Sequence, residues 1–198
     1  MTEPKGLDRR AALARLLRER GDAALVTGLG SPTYDAFAAG DTDHNFYLWG
    51  GMGGAAMLGL GLALAQPQRR VVVWTGDGEM LMGLGALATI AVARPANLAI
   101  VVVDNEHYGE TGMQPAHTGQ GVDLAGIAAA AGFGDVSLVR TPEALEALAQ
   151  RLFRPADGPL FACVKVSTGP VPKAVPSLDG TYLRTRFRLA MMGAAAFR

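Results

Sequence analysis

The sequence predicts an α/β fold, a doubly wound and mainly parallel sheet of six strands with helices on both faces. Three observations carry this expectation. Apolar runs begin at Ala23, Phe46, Val71, Leu98, Val136 and Leu160 with helical segments between them, the alternation that builds a parallel sheet through crossover connections. The stretch from Val71 to Gly112 reads as strand, turn, helix and strand, broken at Gly76-Asp77-Gly78. Two polar side chains, Asp77 and Asn105, fall just past the carboxyl ends of two of these strands, where open α/β sheets place their ligand crevice.

Taken in order, Leu7, Ala11, Ala14 and Leu17 recur at helical spacing, with Leu13 and Leu16 beside them. Asp8, Arg9, Arg10, Arg15, Arg18, Glu19 and Arg20 fill the other face, so an amphipathic helix ends at Gly21. Ala23 to Val26 is a short buried strand. The turn Thr27 to Thr33 then opens a helix through Ala38, with Thr33 or Ser31 as its N-cap. A hydroxyl and the free N–H groups at such a helix start can also hold a phosphate. After a strand from Phe46 to Trp49, the run Gly50-Gly51-Met52-Gly53-Gly54 opens a charge-free helix to Ala65. Glycine costs about 1 kcal/mol in a helix interior, so these glycines point to close backbone approach rather than to helix. Beyond the central stretch come helix Leu124 to Ala131, strand Val136 to Val139, helix Pro142 to Phe153 started at Thr141, and strand Leu160 to Val166. Residues 168 to 198 form a C-terminal arm and short helix; the arm, 168 to 180, carries Pro170, Pro172 and Pro176 and is expected to wrap a neighbouring subunit. A short helix from Thr181 to Met192 follows, packing Tyr182, Phe187 and Leu189 and exposing Arg184, Arg186 and Arg188.

The 198 residues suit a single domain. Lys+Arg 18 against Asp+Glu 18 leaves no net charge, which gives no electrostatic footprint for nucleic acid or an anionic membrane. Cys163 is the only cysteine; it excludes an intrachain disulfide and reads as a buried structural thiol. The start MTEPKGLDRR lacks a following apolar region, so a cytoplasmic protein is expected. Residues 44 to 68 carry no Asp, Glu, Lys or Arg, but Asn45, Tyr47, Trp49, Gln66, Pro67 and the interspersed glycines spoil a membrane span, which needs about 20 apolar residues. A helix covered on all sides in an assembly, at least a dimer, explains the run better.

The chemistry gathers around Asp77. Gly76 and Gly78 let a ligand approach the backbone, and the following helix start offers N–H groups, including those of Gly78 and Glu79, to an anion. A carboxylate, the amide oxygen of Asn105 and this helix start together describe a Mg²⁺–phosphate site, since Mg²⁺ takes few protein oxygens and shares phosphate oxygens.

The GDG turn, Asn105 at 28 positions beyond Asp77, and Tyr108-Gly109 after it resemble the motif of the thiamine diphosphate-dependent enzymes. The segments GSPTYDAF, FYLWGGMGGAAMLGLGLALA, GDGEMLMGLGALATIA and DNEHYGETGMQPAHT are most similar to sulfopyruvate decarboxylase β subunits and to the C-terminal half of phosphonopyruvate decarboxylases. The resemblance covers about Leu7 to Val166 and implies the diphosphate-binding domain, with thiamine diphosphate and Mg²⁺ as cofactors. It assigns Asp77, Asn105 and the main-chain carbonyl of His107 to the metal. Ser31, Thr33, Gly76, Asp77, Gly78, Glu79, Asn105 and Tyr108 go to the cofactor, as do the Gly50 carbonyl and the bulky Met52 that props the cofactor's bend. Asp104 departs from a frequent Asn and Glu79 from a small residue. The resemblance also implies that the activating glutamate lies on a separate pyrimidine-binding subunit and that the substrate is a small acidic 2-oxo acid; self-association is expected from the charge-free helices after Gly53 and Gly78. His117 is the histidine placed near that substrate, and His44 is structural. A carboligase or 2-oxo acid oxidoreductase subunit, and a non-catalytic cofactor-binding regulatory subunit, are the other readings.

Overall fold

The computed structural model describes residues 6–154, 156–169 and 171–197; Pro170 and the first five residues, on which part of the arm and of the N-terminal reading rest, lie outside them. Helix α1 spans Arg9–Leu16 and continues as a 3-10 turn to Glu19. Strand β1 (Ala24–Thr27), helix α2 (Ser31–Ala39) and strand β2 (Asn45–Tyr47) follow. Then come α3 (Ala55–Ala65), β3 (Val71–Gly76), α4 (Asp77–Met82), α5 (Ala86–Ala93) and β4 (Leu98–Asp104). A small antiparallel ribbon pairs β5 (His107–Tyr108) with β6 (Gln114–Pro115). The chain continues through α6 (Leu124–Ala131), β7 (Asp135–Val139), α7 (Pro142–Leu152), β8 (Leu160–Lys165) and α8 (Gly180–Met192).

Six strands form one sheet in the order β2-β1-β3-β4-β8-β7, every neighbouring pair parallel. The winding reverses between β1 and β3, so a crevice opens there at the carboxyl edge. Alternate residues of one strand face opposite sides. Val71 and Val73 join α3, α5, α6 and α8 in one core, while Val72 and Trp74 join α1, α2 and α7 in the other. Because both faces are covered, the central strands read as unbroken apolar runs instead of alternating ones. Cys163 is buried in the first core, and that burial pushes its thiol well above the ordinary range.

Several local expectations change in three dimensions. The segment after Asp77 is two helices, because Gly83 at the end of α4 packs its Cα against the carbonyl of Gly53, and a Cβ there would lie 2.2 Å from that oxygen. Neither Ser31 nor Thr33 caps α2; the cap position is Gly30, at φ 70°, and makes no side-chain hydrogen bond. Thr141, by contrast, accepts from the Ala144 N–H and starts α7.

In the C-terminal segment the arm makes contacts with its own chain, the Ser177 carbonyl accepting from the Trp49 indole at 3.1 Å and Lys173 pairing with Glu110 at 3.0 Å, while the helix differs from the sequence expectation. In α8 it is Leu183, Phe187 and Met191 that turn inward, whereas Tyr182 and Leu189 are exposed. Arg186 is not a free surface cation but grips Asp41 with two nitrogens, at 2.6 and 2.7 Å. The Phe187 ring lies 5.3 Å from that of Phe46, and these contacts dock α8 on the edge strand β2. Among the described residues no helix is long and apolar enough to cross a membrane. The charge-free run instead supplies α3, whose Ala55, Ala56, Leu60 and Ala63 are buried.

The two helices give a paired test. Gly83→Ala drives a methyl into a backbone oxygen that cannot swing away, and overpacking of this kind costs about 1–3 kcal/mol. Gly61→Ala in α3 meets nothing within 4 Å in the chain and should gain about 0.5–1 kcal/mol of helix propensity. Urea unfolding of the full chain should therefore move the two midpoints in opposite directions.

Candidate functional site

The reversal between β1 and β3 brings three chain segments to one cleft. Leu29, Ser31 and Pro32 come from the start of α2, Gly76 to Glu79 from the start of α4, and Asn105 and His107 to Thr111 from the turn and ribbon after β4. Met52 and Arg9 close its sides. The in-register pairing of Gly76 with Val103 places the residues after both strands next to each other, which is why Asp77 and Asn105, far apart in sequence, line one cavity.

At the floor, Asp77 and Asp104 are both buried and share the hydroxyl of Thr118, whose Oγ1 lies 3.0 Å from Asp77 Oδ2 and 2.8 Å from Asp104 Oδ1. The Asp104 charge is matched by Lys165, Nζ to Oδ2 at 2.7 Å, and the same ammonium reaches Glu106 at 2.7 Å. Asp77 has no such cation among the described residues. Burial, reinforced by the facing Asp104, pushes its carboxyl up to about 7, so an ionised Asp77 leaves uncompensated negative charge at the cleft floor. Asn105 Oδ1 accepts the His107 N–H at 3.0 Å, which orients the amide while its second lone pair stays available.

Glu79 has a different task. Its buried carboxylate accepts the N–H of Leu29 at 3.1 Å and of Ala55 at 3.3 Å, tying the loop after β1 to the start of α3. Desolvation raises its pKa, opposed by these amides. Gly78 permits the ring of Tyr108 to lie over the start of α4, since a Cβ would fall 2.4 Å from Tyr108 Cε1.

The structure therefore gathers Ser31, Met52, Gly76, Asp77, Gly78, Glu79, Asn105, His107 and Tyr108 at the cleft. It leaves three sequence candidates outside the lining. The Thr33 hydroxyl is wholly buried, 2.6 Å from both the Thr27 hydroxyl and the Gly28 carbonyl, and faces the sheet because helix position N3 turns inward here. Gly50 lies in the turn before Met52 at φ 71°, away from the lining. His117 is on the surface and reaches the site only through Tyr108, its Nδ1 lying 3.2 Å from the phenol oxygen. Conversely, Thr118, Lys165, Glu110 and Arg9 were not legible as site residues. Nothing in their local sequence marks them, because each arrives from a different element.

A divalent cation with phosphate fits these residues. The donors facing the cleft are hard oxygens, Asp77 carries the unmatched charge that a cation relieves, and among the described residues no cluster of three His, Cys, Asp or Glu side chains could enclose a metal alone. A metal here takes a mixed set of carboxylate, amide and main-chain oxygens completed by its phosphate partner.

Comparison with known proteins agrees with the geometry. The family described as thiamine pyrophosphate enzyme, C-terminal TPP binding domain, matches residues 30–164. Sulfopyruvate decarboxylase subunit beta of Methanothermobacter thermautotrophicus is 38% identical over 188 residues, 95% of this chain and 97% of that protein. Phosphonopyruvate decarboxylase of Streptomyces viridochromogenes is 41% identical over 172 residues, 86% of this chain but 41% of that protein. The solved benzoylformate decarboxylase of Polynucleobacter necessarius shares the fold, with a TM-score of 0.68 at 22% identity over 84% of this chain and 34% of that one. The chain thus spans about a third of that solved enzyme.

The elevated Asp77 pKa has a definite sign. The native carboxyl holds its proton more tightly than the unfolded one, whose pKa is about 3.9, so the contribution of Asp77 to metal-free stability should fall as pH rises from about 4 to about 7 and then level off, by a few kcal/mol at most. Asp77→Asn should remove that decline, and Mg²⁺ with pyrophosphate should restore neutral-pH stability to the wild type but not to the variant. Equal slopes for both proteins in denaturation series across this range would contradict the charge assignment.

Proposed function

Since the chain belongs to the thiamine pyrophosphate enzymes and carries their C-terminal cofactor-binding domain, we propose that it is the cofactor-binding subunit of a decarboxylase for a small acidic 2-oxo acid, of the sulfopyruvate or phosphonopyruvate type. The observation that carries this reading is the cleft between β1 and β3, where Asp77, Asn105 and the glycine-flanked start of α4 converge. Near full-length similarity to a sulfopyruvate decarboxylase β subunit supports the substrate class.

Asp77, Asn105 and the His107 carbonyl would hold Mg²⁺, and the N–H groups of Gly78 and Glu79 with Ser31 would hold the diphosphate. Met52, 39% exposed at the cleft wall, would prop the cofactor. When bound, thiamine diphosphate supplies the electron sink for the loss of CO₂. The chain's own part is to bind and orient this group and to neutralise its charge. Activation of the cofactor needs a carboxylate at its pyrimidine end, and the carboxylates near the cleft are engaged elsewhere. Glu79 accepts two loop amides, Glu106 pairs with Lys165 and Glu110 with Lys173. That carboxylate therefore belongs to a partner subunit with a pyrimidine-binding domain. The name of the M. thermautotrophicus relative, a subunit beta, supports a partner of some kind. Exposed apolar side chains on α3 to α5, among them Met57, Leu64, Met82 and Val92 at 42%, 58%, 68% and 86%, support coverage of this face by other chains, a self-associated core included. The chain acts as one domain, in the cytoplasm.

The full chain supplied with thiamine diphosphate, Mg²⁺ and sulfopyruvate or phosphonopyruvate should release almost no CO₂ alone. Adding the partner should restore turnover, because general acid–base assistance alone is worth about 10²–10⁴-fold. Robust decarboxylation by the single purified chain would refute this division of labour, and a full complex inert on both substrates would refute the substrate class.

A further inference from the structure

The polar face of α1 would be expected to point into solvent, yet Arg9 turns into the fold. Its side chain is only 11% exposed and lines the cleft beside Ser31, Gly76 and Asp77. What draws it in is Asp35 of α2, whose carboxylate is wholly buried and faces two guanidinium groups, Arg9 Nε at 2.7 Å and Arg10 Nε at 3.1 Å. Burial raises the Asp35 pKa, and the two arginines oppose that effect. The pair of arginines against one carboxylate leaves an excess positive charge at this spot. Arg10 spends its outer nitrogen on the Pro172 carbonyl of the arm. Arg9 Nε and Asp35 Oδ2 make the closest approach of this pair as a charge contact and are not aligned as a hydrogen bond, and among the described residues no hydrogen-bond partner is found for the rest of the Arg9 guanidinium. Its two terminal nitrogens are therefore left to the cleft, in the planar fork that suits an oxyanion.

The charges of the cleft favour such a role. Its lining includes the carboxylates of Asp77, Glu79 and Glu110, and among the described residues that line it Arg9 is the one lysine or arginine. A magnesium diphosphate beside an ionised Asp77 retains net negative charge, because one divalent cation does not cancel both. A buried, pre-positioned guanidinium is worth far more against that charge than a surface lysine, since water screens it less.

We propose that Arg9 is an oxyanion receptor of the cleft, held in place by Asp35, which binds a phosphoryl or sulfonyl group of a bound ligand. The inference rests on the proposed function. The same chemistry is offered by the cofactor's terminal phosphate and by the acidic end of the substrate, and experiment separates the two.

Calorimetry on the full chain should compare Mg²⁺ with thiamine diphosphate, Mg²⁺ with inorganic pyrophosphate, and unphosphorylated thiamine, for wild type, Arg9→Met and Arg9→Lys. If the cofactor phosphate is the ligand, Arg9→Met weakens both magnesium diphosphates by about ten- to a hundredfold and leaves thiamine unchanged, while Arg9→Lys recovers part of the loss. If the substrate group is the ligand, cofactor binding stays intact, and in the assembled complex KM rises for sulfopyruvate or phosphonopyruvate but not for pyruvate. Removing Arg9 could unbalance buried Asp35, so Arg9→Met/Asp35→Asn, which deletes both charges, must reproduce the effect in a protein with wild-type thermal stability. Arg10→Met, which also disturbs Asp35 but does not line the cleft, should not reproduce it. Wild-type binding with unchanged affinity and unchanged KM in Arg9→Met overturns the inference alone. Failure of the wild type to bind magnesium thiamine diphosphate, alone or assembled, overturns the functional reading and the inference with it.

Discussion

The site depends on one constraint, the in-register parallel pairing of β3 with β4. Val71 to Gly76 lies against Leu98 to Val103 residue for residue, and both strands are covered on each face by separate cores. A slip of one position would invert every side chain between those cores, so the register is strongly held. Its by-product is that Asp77 and Asp104 emerge together at the buried end of the sheet. Two carboxylates in that position are unfavourable unless something offsets them. Lys165 offsets one, and the other is left facing the cleft, where it makes a cation welcome.

The rest of the cleft is arranged around this imbalance by groups that act as ties. Glu79 reaches back from α4 to hold the loop after β1 and the start of α3. Asp35 pulls Arg9 down from α1, and Thr118 bridges the two floor carboxylates from beyond the ribbon. Each tie is a charged or hydroxyl group whose burial is tolerated because its partners are fixed by separate elements. The cleft is thereby preorganised before any ligand arrives, which lowers the ordering cost of binding.

The family and the fold class were legible in one dimension for the same reason. Strands covered on both faces must be continuous apolar runs, and a phosphate site at a strand end needs a glycine turn with a hard oxygen donor. Gly76-Asp77-Gly78 with Asn105 satisfies the second condition within a single crossover unit, so residue type and spacing reveal a Mg²⁺–phosphate site, and the family follows from the resemblance of these motifs to known enzymes. Where the structure departs from the sequence expectation, a contact between different elements decided. Thr33 faces inward because the Thr27 and Gly28 partners lie in the preceding strand and turn. Arg186 is tied to Asp41 across α8 and the turn before β2.

What the sequence by itself determined is the periodicity of the elements, the chemistry of Asp77 and Asn105, and the absence of net charge, each a property of residue type and local spacing. Only the tertiary structure decided which polar residues enter the cleft, since an arginine on a helix face looks the same whether it meets water or a buried aspartate. Arg9, Glu79, Thr118 and Lys165 acquire their roles through partners between 14 and 61 positions away in the chain. Electrostatic pairing across that separation depends on distances that the fold alone supplies.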